Sequence, residues 1–360
     1  MMRILFLSGR ESSYPRNRFL IHALRQLGQV DVPVEKGGFP SANLRRSLWV
    51  SLAALPYVIR YHYDLVVVGF WGHLLMLPAG VFKRQPVLFD AFVSTYDTLI
   101  EDRKRYAPKS LPGRLALSLD KISCHLADHV LLDTQAQVDY FAAQFGIEPS
   151  KMDRVWVGSD EAIFYPRQVQ TEPAEVLFVG SFVPLQGVDV ILQAAKLLDR
   201  TNPEVKIRFI GRGMLYPQAV NFAKQNQLTN LLFDAPVPLS ALPDQILRAT
   251  ICLGGHFGSS AKAARVIAGK TFHSLAMGKP TIVGDNPANH ELLTHDRDAW
   301  FCPMADPEAL AESIRILISD SERRQRIGAA ARQTFLANAS LAEISKRIDK
   351  IVGELLQVPA

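Results

Sequence analysis

The sequence predicts an α/β fold of two parallel-sheet domains, and three observations carry that expectation. Short apolar runs alternate with longer helical patterns along all 360 residues. Hairpin signals are missing between successive apolar runs. The alternation breaks once, at the polar, proline-bearing stretch FYPRQVQTEPA from Phe164 to Ala174. Strand and helix in alternation give parallel strands in a sheet covered on both faces. Length agrees, since roughly 150 residues per domain make two domains the prior.

Taken in order, the first half offers strands Arg3–Ser8, Val30–Val34, Leu65–Gly69, Pro86–Asp90, Val130–Asp133 and Val155–Val157. Between them the spacing predicts helices Arg16–Leu27, Leu44–Arg60, His73–Phe82, Pro112–Ala127 and Gln135–Phe145. The second half restarts with strands Glu175–Gly180, Val205–Ile210, Asn230–Phe233, Thr250–Leu253, Pro280–Gly284 and Ala299–Cys302. Helices Val188–Leu198, Leu215–Gln227, Asp244–Ala249, Thr271–Met277, Pro287–Leu293 and Pro307–Ser319 fit between these. Ser321–Leu356 reads as amphipathic helix with a break near Asn338. The expected domains are 1–163 and 175–335, with 164–174 as linker and a C-terminal helix 336–360 packing back on the first domain. Ligands of such units bind beyond the strand C-termini, so a cleft between the two domains is the expected site.

Composition excludes several classes. With 48% hydrophobic and 21% charged residues the chain is neither disordered, collagen-like nor a coiled coil. A formal net charge of +5 suits anionic ligands or an anionic membrane surface and is too mild for a dedicated nucleic-acid binder. Cys124, Cys252 and Cys302 stand apart without a CxxC, which argues for reduced thiols rather than a zinc ribbon or disulfide framework. Ile4–Leu7 is too short for a signal-peptide core, and Leu65–Phe82 reads as a buried strand and helix rather than a span. His73 and His125 lack a second ligand at helical spacing, so no metal site is expected.

The chemistry-bearing stretch is GGHFGSSAKAARVIAGKTFHSLAMGKP, from Gly254 to Pro280. It is loop-like after a strand, and Lys262, Arg265 and Lys270 stand at or before the helix that starts at Thr271. Cations beside a helix N-terminus suit a diphosphate. Within it, A-x-x-x-x-G-K-T lacks the first glycine of a Walker A loop and lies too far beyond its strand. Two more strand ends carry glycine turns that let backbone approach a phosphate: Gly180, Ser181 and on to Gly187, and the trio Gly211, Arg212, Gly213. Glu291, one turn beyond Asn286 and Pro287, is placed to bond a sugar or ribose hydroxyl. In the first half, Asp90 and Ser94 follow a strand end, as do Arg16 and Asn17, while His73 follows Gly69-Phe70-Trp71-Gly72. Asp90 is the candidate for orienting or deprotonating a hydroxyl. Asp97 fits better as the cap of the next helix.

In order and spacing, VGSDEAIFYP, VLFVGSFVPLQGVDVILQAAKLL, FIGRG, KTFHSLAMGKPTIVGDNPANHELL and AWFCPMADPEALAESIRILISD resemble the retaining family-four, or group 1, glycosyltransferases of GT-B fold. DAFVSTYDTLIEDRKRY and ADHVLLDT extend the likeness into the first half. The resemblance implies two Rossmann-like domains facing a central cleft. It implies a nucleotide-sugar donor, UDP- or GDP-linked, held by the second domain and a glycan or lipid-linked acceptor held by the first. No cofactor or metal is implied. Two glutamates of the family, eight positions apart, are Arg265 and His273 here. Arg265 can hold phosphate but cannot accept a hydroxyl's hydrogen bond, whereas His273 can still bond a ribose hydroxyl. The Arg and Lys usual after the first strand of that domain are Ser181 and Gln186, so Lys262, Arg265 and Lys270 take over the diphosphate.

The leading functional expectation is therefore a retaining, metal-independent glycosyltransferase of the cytoplasm. Asp90 would orient the acceptor, Lys262 and Arg265 would assist departure of the nucleoside diphosphate, and Arg16, Asn17, His73 and Ser94 would contact the acceptor. Alternatives are a nucleotide-sugar epimerase and a non-catalytic GT-B binding subunit. A further expectation is peripheral membrane contact through Leu44–Arg60, where Arg45, Arg46 and Arg60 accompany Trp49 and Leu52. A helix packed into the core would instead bury Trp49 and Leu52.

Overall fold

The computed structural model describes residues 1–33 and 44–357, and of residues 44–48 the backbone only. The chain divides into two compact units, Met1–Val157 with Leu341–Ala360, and Gly158–Ser340. The first unit runs β1 (Met2–Leu7), α1 (Pro15–Leu27), β2 (Gly28–Asp31), α2 (Leu44–Arg60), β3 (Leu65–Val68), α3 (Met76–Val81), β4 (Val87–Asp90), α4 (Leu111–Leu126), β5 (His129–Leu132), α5 (Gln135–Phe145) and β6 (Met152–Arg154). The second runs β7 (Glu175–Val179), α6 (Val188–Thr201), β8 (Lys206–Ile210), α7 (Tyr216–Gln225), β9 (Leu231–Asp234), α8 (Leu242–Arg248), β10 (Ile251–Gly255), α9 (Ala261–Arg265), α10 (Gly269–Ala276), β11 (Thr281–Gly284), α11 (Pro287–His290), β12 (Trp300–Cys302), α12 (Pro307–Ser319) and α13 (Ser321–Asn338). α14 (Leu341–Gln357) returns to the first unit and packs on α1.

Each unit holds one six-stranded sheet, ordered β2-β1-β3-β4-β5-β6 and β12-β11-β10-β7-β8-β9, with every recorded strand pair parallel. The strand sequences follow from that. In the first unit, alternate residues serve opposite faces. Leu5, Val66, Val68 and Phe89 face one core with Val50 and Ala54 of α2, Ala79 of α3 and Phe141 of α5. Ile4, Phe6, Leu65 and Val67 face the other with Phe19 and Leu24 of α1 and Ile348 of α14. Both faces are covered, so β3 reads as an unbroken LVVV run. Side-chain caps start the helices: Ser110 accepts from the Gly113 amide, Thr134 from Gln137, and Asp320 from Arg323. Each is worth about 1 kcal/mol.

The sequence reading needs several corrections. The last strand of the first sheet is Met152–Arg154 rather than Val155–Val157. It is an edge strand paired only with β5, so it needs no continuous apolar run. The second strand begins at Gly28 and ends at Asp31, and the expected Val34 lies outside the described residues. The third helix begins at Met76 rather than His73. Helix α9 lies inside the stretch read as loop, capped by Ser260 Oγ accepting from the Ala263 amide. Residues 164–174 belong to the second unit, where Phe164 is buried against His273. Asp97 does not cap the π-helical turn Asp97–Asp102; Ser94 Oγ accepts from the Asp97 amide at 2.9 Å.

Candidate functional site

In the second sheet, β7, β8 and β9 run out to one side and β10, β11 and β12 to the other. The crevice beyond the C-termini of β7 and β10 is therefore a topological switch point, where parallel sheets bind ligands. The chain after β7 (Gly180 to Gly187) and the chain after β10 (Gly255 to Gly258) lie against each other there. The Phe257 amide donates to Gln186 O and the Gly258 amide to Leu185 O, both at 3.3 Å. Gly187 has φ +68°, and a Cβ on it would stand 2.5 Å from Phe257 C and Gly258 N. Gly211, at the end of β8 with φ +147°, packs so closely that a Cβ would stand 2.0 Å from Gly180 O. The expected glycine turns are thus real close approaches.

Lys270, in the first turn of α10, reaches this crevice. Its ammonium donates to Gln186 Oε1 and lies 4.1 Å from the centre of the Phe178 ring, on β7. A Cβ on Gly180 would be 3.4 Å from its Nζ. Burial among these groups pushes the Lys270 ammonium down to about 7. His256, just after β10, is 4% exposed, and its Nδ1 has no hydrogen-bond partner among the described residues. Burial first, then the Lys270 and Lys262 charges, hold its imidazole well below the ordinary value, which keeps it neutral. Lys262 on α9 is likewise buried and near enough to contribute to that depression. Asn286 Nδ2 donates to Ala263 O at 3.3 Å, tying α9 to the end of β11. The buried Lys270 ammonium, set against an amide oxygen and an aromatic face, would be stabilised by an anion.

Beside this point an open pocket of about 290 Å3 is lined by Gly180, Ser181, Gly211, Arg212, Pro236 and Val237 among others. The Arg212 guanidinium donates to Gly211 O and Asp234 O and stacks 4.0 Å over the Tyr216 ring, which fixes it at the rim. Gly213 lets the turn pass the Phe182 backbone. Arg265 closes α9. Glu291 lies at the C-terminal end of α11, beyond β11. His273 stacks on Phe164, ring centres 4.0 Å apart and planes 7° apart, and its Nδ1 bonds Ser159 Oγ at 2.8 Å. Of the residues around this crevice, the sequence reading names Lys262, Lys270 and the glycines, gives Gln186 only as a departure from the family pattern and omits His256. His256 had a signal, as the first residue past two glycines at a strand end. Among the described residues, no group of three or more His, Cys, Asp or Glu is placed to hold a metal ion.

The candidates of the first unit meet too, in a different role. Arg16 and Asp90 form an ion pair with side chains 2% and 0% exposed: Arg16 NH2 donates to Asp90 Oδ1 at 2.8 Å, and its Nε reaches both oxygens at 3.1 Å. Arg16 NH1 also donates to the carbonyls of Val155 and Trp156. Asn17 donates to Ser8 Oγ and Glu11 O and accepts from the Phe70 amide, joining the loops after β1 and β3. Ser94 donates to Asp120 Oδ2 at 2.6 Å, and His73 Nε2 lies 3.3 Å from Asp120 Oδ1 with its ring buried. Burial keeps His73 below its ordinary value. These five side chains are sealed inside the unit, with the polar atoms of Arg16, Asn17, Asp90 and Ser94 already bonded. They position the strand-end loops, and this burial lends no support to the expected direct contact of Arg16, Asn17, His73, Asp90 and Ser94 with an acceptor.

Two six-stranded parallel sheets with flanking helices give an α/β protein of GT-B type. Residues 173–320, most of the second unit, match the family described as Glycosyl transferases group 1. Bacillus subtilis spore coat protein SA is 23% identical over 255 residues, covering 64% of this chain and 67% of that protein. The D-inositol 3-phosphate glycosyltransferase of Kribbella flavida is 23% identical over 225 residues, covering 57% of this chain and 51% of that one. The chain thus spans about half the length of that relative. Among solved structures, sucrose-phosphate synthase from Thermosynechococcus elongatus superposes with a TM-score of 0.77 at 14% identity over 99% of both chains. Anabaena Alr3699/HepE, solved in complex with UDP, gives 0.70 at 14% identity over 98% of this chain and 100% of that one. At these identities the structural likeness establishes the fold.

Proposed function

We propose that the chain is a retaining, metal-independent glycosyltransferase that moves a sugar from a UDP- or GDP-linked donor to a hydroxyl acceptor. The observation that carries this reading is the convergence of Lys270, Lys262 and neutral His256 on the β7–β10 switch point. A diphosphate there would meet the Lys270 ammonium and the backbone of the Gly180 turn, with Lys262 and Arg265 beside it. The 290 Å3 pocket would take the nucleoside, with Glu291 and His273 as candidates for hydroxyl contacts. The family match over residues 173–320 and the UDP in the Alr3699/HepE structure support this choice of ligand.

Chemistry follows from charge. The bond from the anomeric carbon to the diphosphate oxygen breaks, and its electron pair leaves with the diphosphate. Fixed cations stabilise that growing negative charge, which lowers the barrier. The acceptor oxygen bonds the anomeric carbon from the same face, and its proton passes to the departing phosphate oxygen. Cations supplied by side chains would make a divalent ion dispensable. The first unit would bind the acceptor, a glycan or lipid-linked sugar met at the cytoplasmic face of a membrane. Incubation with a panel of UDP- and GDP-sugars, with and without EDTA, tests the reading: EDTA-resistant nucleoside diphosphate release that needs an acceptor supports it. Activity lost in EDTA and restored by magnesium would remove the metal-free mechanism.

A further inference from the structure

The outward side of α2, α3 and α4 departs from ordinary protein surface. Trp49, Leu52 and Ile59 stand exposed along α2, although the helix buries Val50, Ala54 and Val58 on its other side. Next to them, Leu77, Val81 and Phe82 are exposed on and after α3, which packs on both α2 and α4. On α4, Leu111 (71% exposed), Leu115 and Ile122 share the outward stripe. Arg45 and Arg46 belong to α2, but their side chains lie outside the described residues. Singly exposed apolar residues are unremarkable, but a contiguous set on three packed helices marks an interaction surface.

Charge decides what the surface fits. The sequences of α2, α3 and α4 contain a single acidic residue, Asp120. It is wholly buried, accepting from Ser94 Oγ and the amides of Thr95 and Tyr96. Arg114 and Lys121 instead stand exposed between the leucines and isoleucine of the α4 stripe. Arg103, Lys104, Arg105 and Lys109, all exposed, lead into its first turn. Apolar groups accompanied by exposed cations, on helices whose only carboxylate is buried, complement a bilayer whose headgroups are anionic. Among the described residues no helix is long and apolar enough to cross a membrane, so the contact would be peripheral.

We propose that the α2–α3–α4 face of the first unit docks on an anionic lipid bilayer. This deepens the membrane-facing acceptor reading above by naming the surface and its partner, and it needs neither donor nor turnover. The test is co-sedimentation of the full chain with vesicles of phosphatidylcholine alone or mixed equally with phosphatidylglycerol. Binding to the mixed vesicles at low salt is expected, falling steeply as salt screens the cations. The variants Leu115→Glu/Ile122→Glu and Arg114→Glu/Lys121→Glu should each lower the partition coefficient by roughly tenfold or more. Leu336→Glu, on α13 of the second unit, should leave it unchanged. Thermal melts of every variant report folding and UDP titration reports the donor reading, so loss of vesicle binding with the wild-type melt retained supports the proposal. Equal binding to both vesicle types, or none to either, overturns it. So does a concentration-dependent dimer that the same substitutions dissolve.

Discussion

The ammonium of Lys270 lies over the face of the Phe178 ring, 4.1 Å from its centre. An aromatic face and the Gln186 carbonyl are modest partners for a buried cation, and the proton is correspondingly loosely held. A ligand bringing negative charge would supply what the protein withholds. That places the cost of burying Lys270 on the empty protein and its return on the complex.

Nucleoside diphosphate binding should therefore take up a proton. Above pH 7 the free Lys270 is largely neutral, and the bound anion restores its charge. Affinity for UDP should fall by up to about tenfold per pH unit above 7. Calorimetry in buffers of different ionisation enthalpy reads the proton directly, and Lys270→Met should abolish the uptake.

The same residue gives folding a pH dependence of known sign. The unfolded chain holds the Lys270 proton up to its ordinary value of 10.5, the folded chain only to about 7. Between these values the unfolded chain binds more protons, so the Lys270 contribution favours folding increasingly as pH rises. Urea midpoints between pH 7 and 10 should rise more in the wild type than in Lys270→Met.

Asp90→Ala should destabilise the first unit by about 3–5 kcal/mol, because it strands the buried Arg16 guanidinium. The double variant Arg16→Met/Asp90→Leu should recover much of that loss. Chemical denaturation measures both. If Asp90→Ala instead keeps full stability while acceptor turnover collapses, Asp90 is a catalytic group after all.

Gly211→Ala should cost about 3 kcal/mol, since its Cβ would meet Gly180 O in a backbone conformation that alanine rarely adopts. Gly353→Ala, on α14, meets nothing within 4 Å and should not destabilise. Comparing their thermal midpoints separates the close approach of Gly211 to Gly180 from a general intolerance of substitution.

Much of this was legible in the sequence. β3, α2, α5 and α12 are strongly patterned, and their expected positions needed little or no revision. Lys262 and Lys270 stood out because basic residues, glycines and a helix start coincide. Edge strand β6 escaped because pairing on one side imposes little pattern, and α9 because five residues are too few for a helical period. Residues 164–174 looked like a linker because their polar run masks Phe164, whose burial depends on His273 over a hundred positions away. Asp90, Ser94 and His73 were read at the right strand ends, yet their burial depends on Arg16 and Asp120, which no local window contains.

Titration calorimetry of UDP and GDP into the full chain and into its Lys270→Ala variant tests the central claim most directly. One nucleoside diphosphate should saturate a single site per chain and bind about thirtyfold more weakly to the variant, as the loss of a charge-assisted contact worth about 2 kcal/mol requires. Equal affinity for both proteins, or no binding of either nucleotide to the wild type, would contradict it.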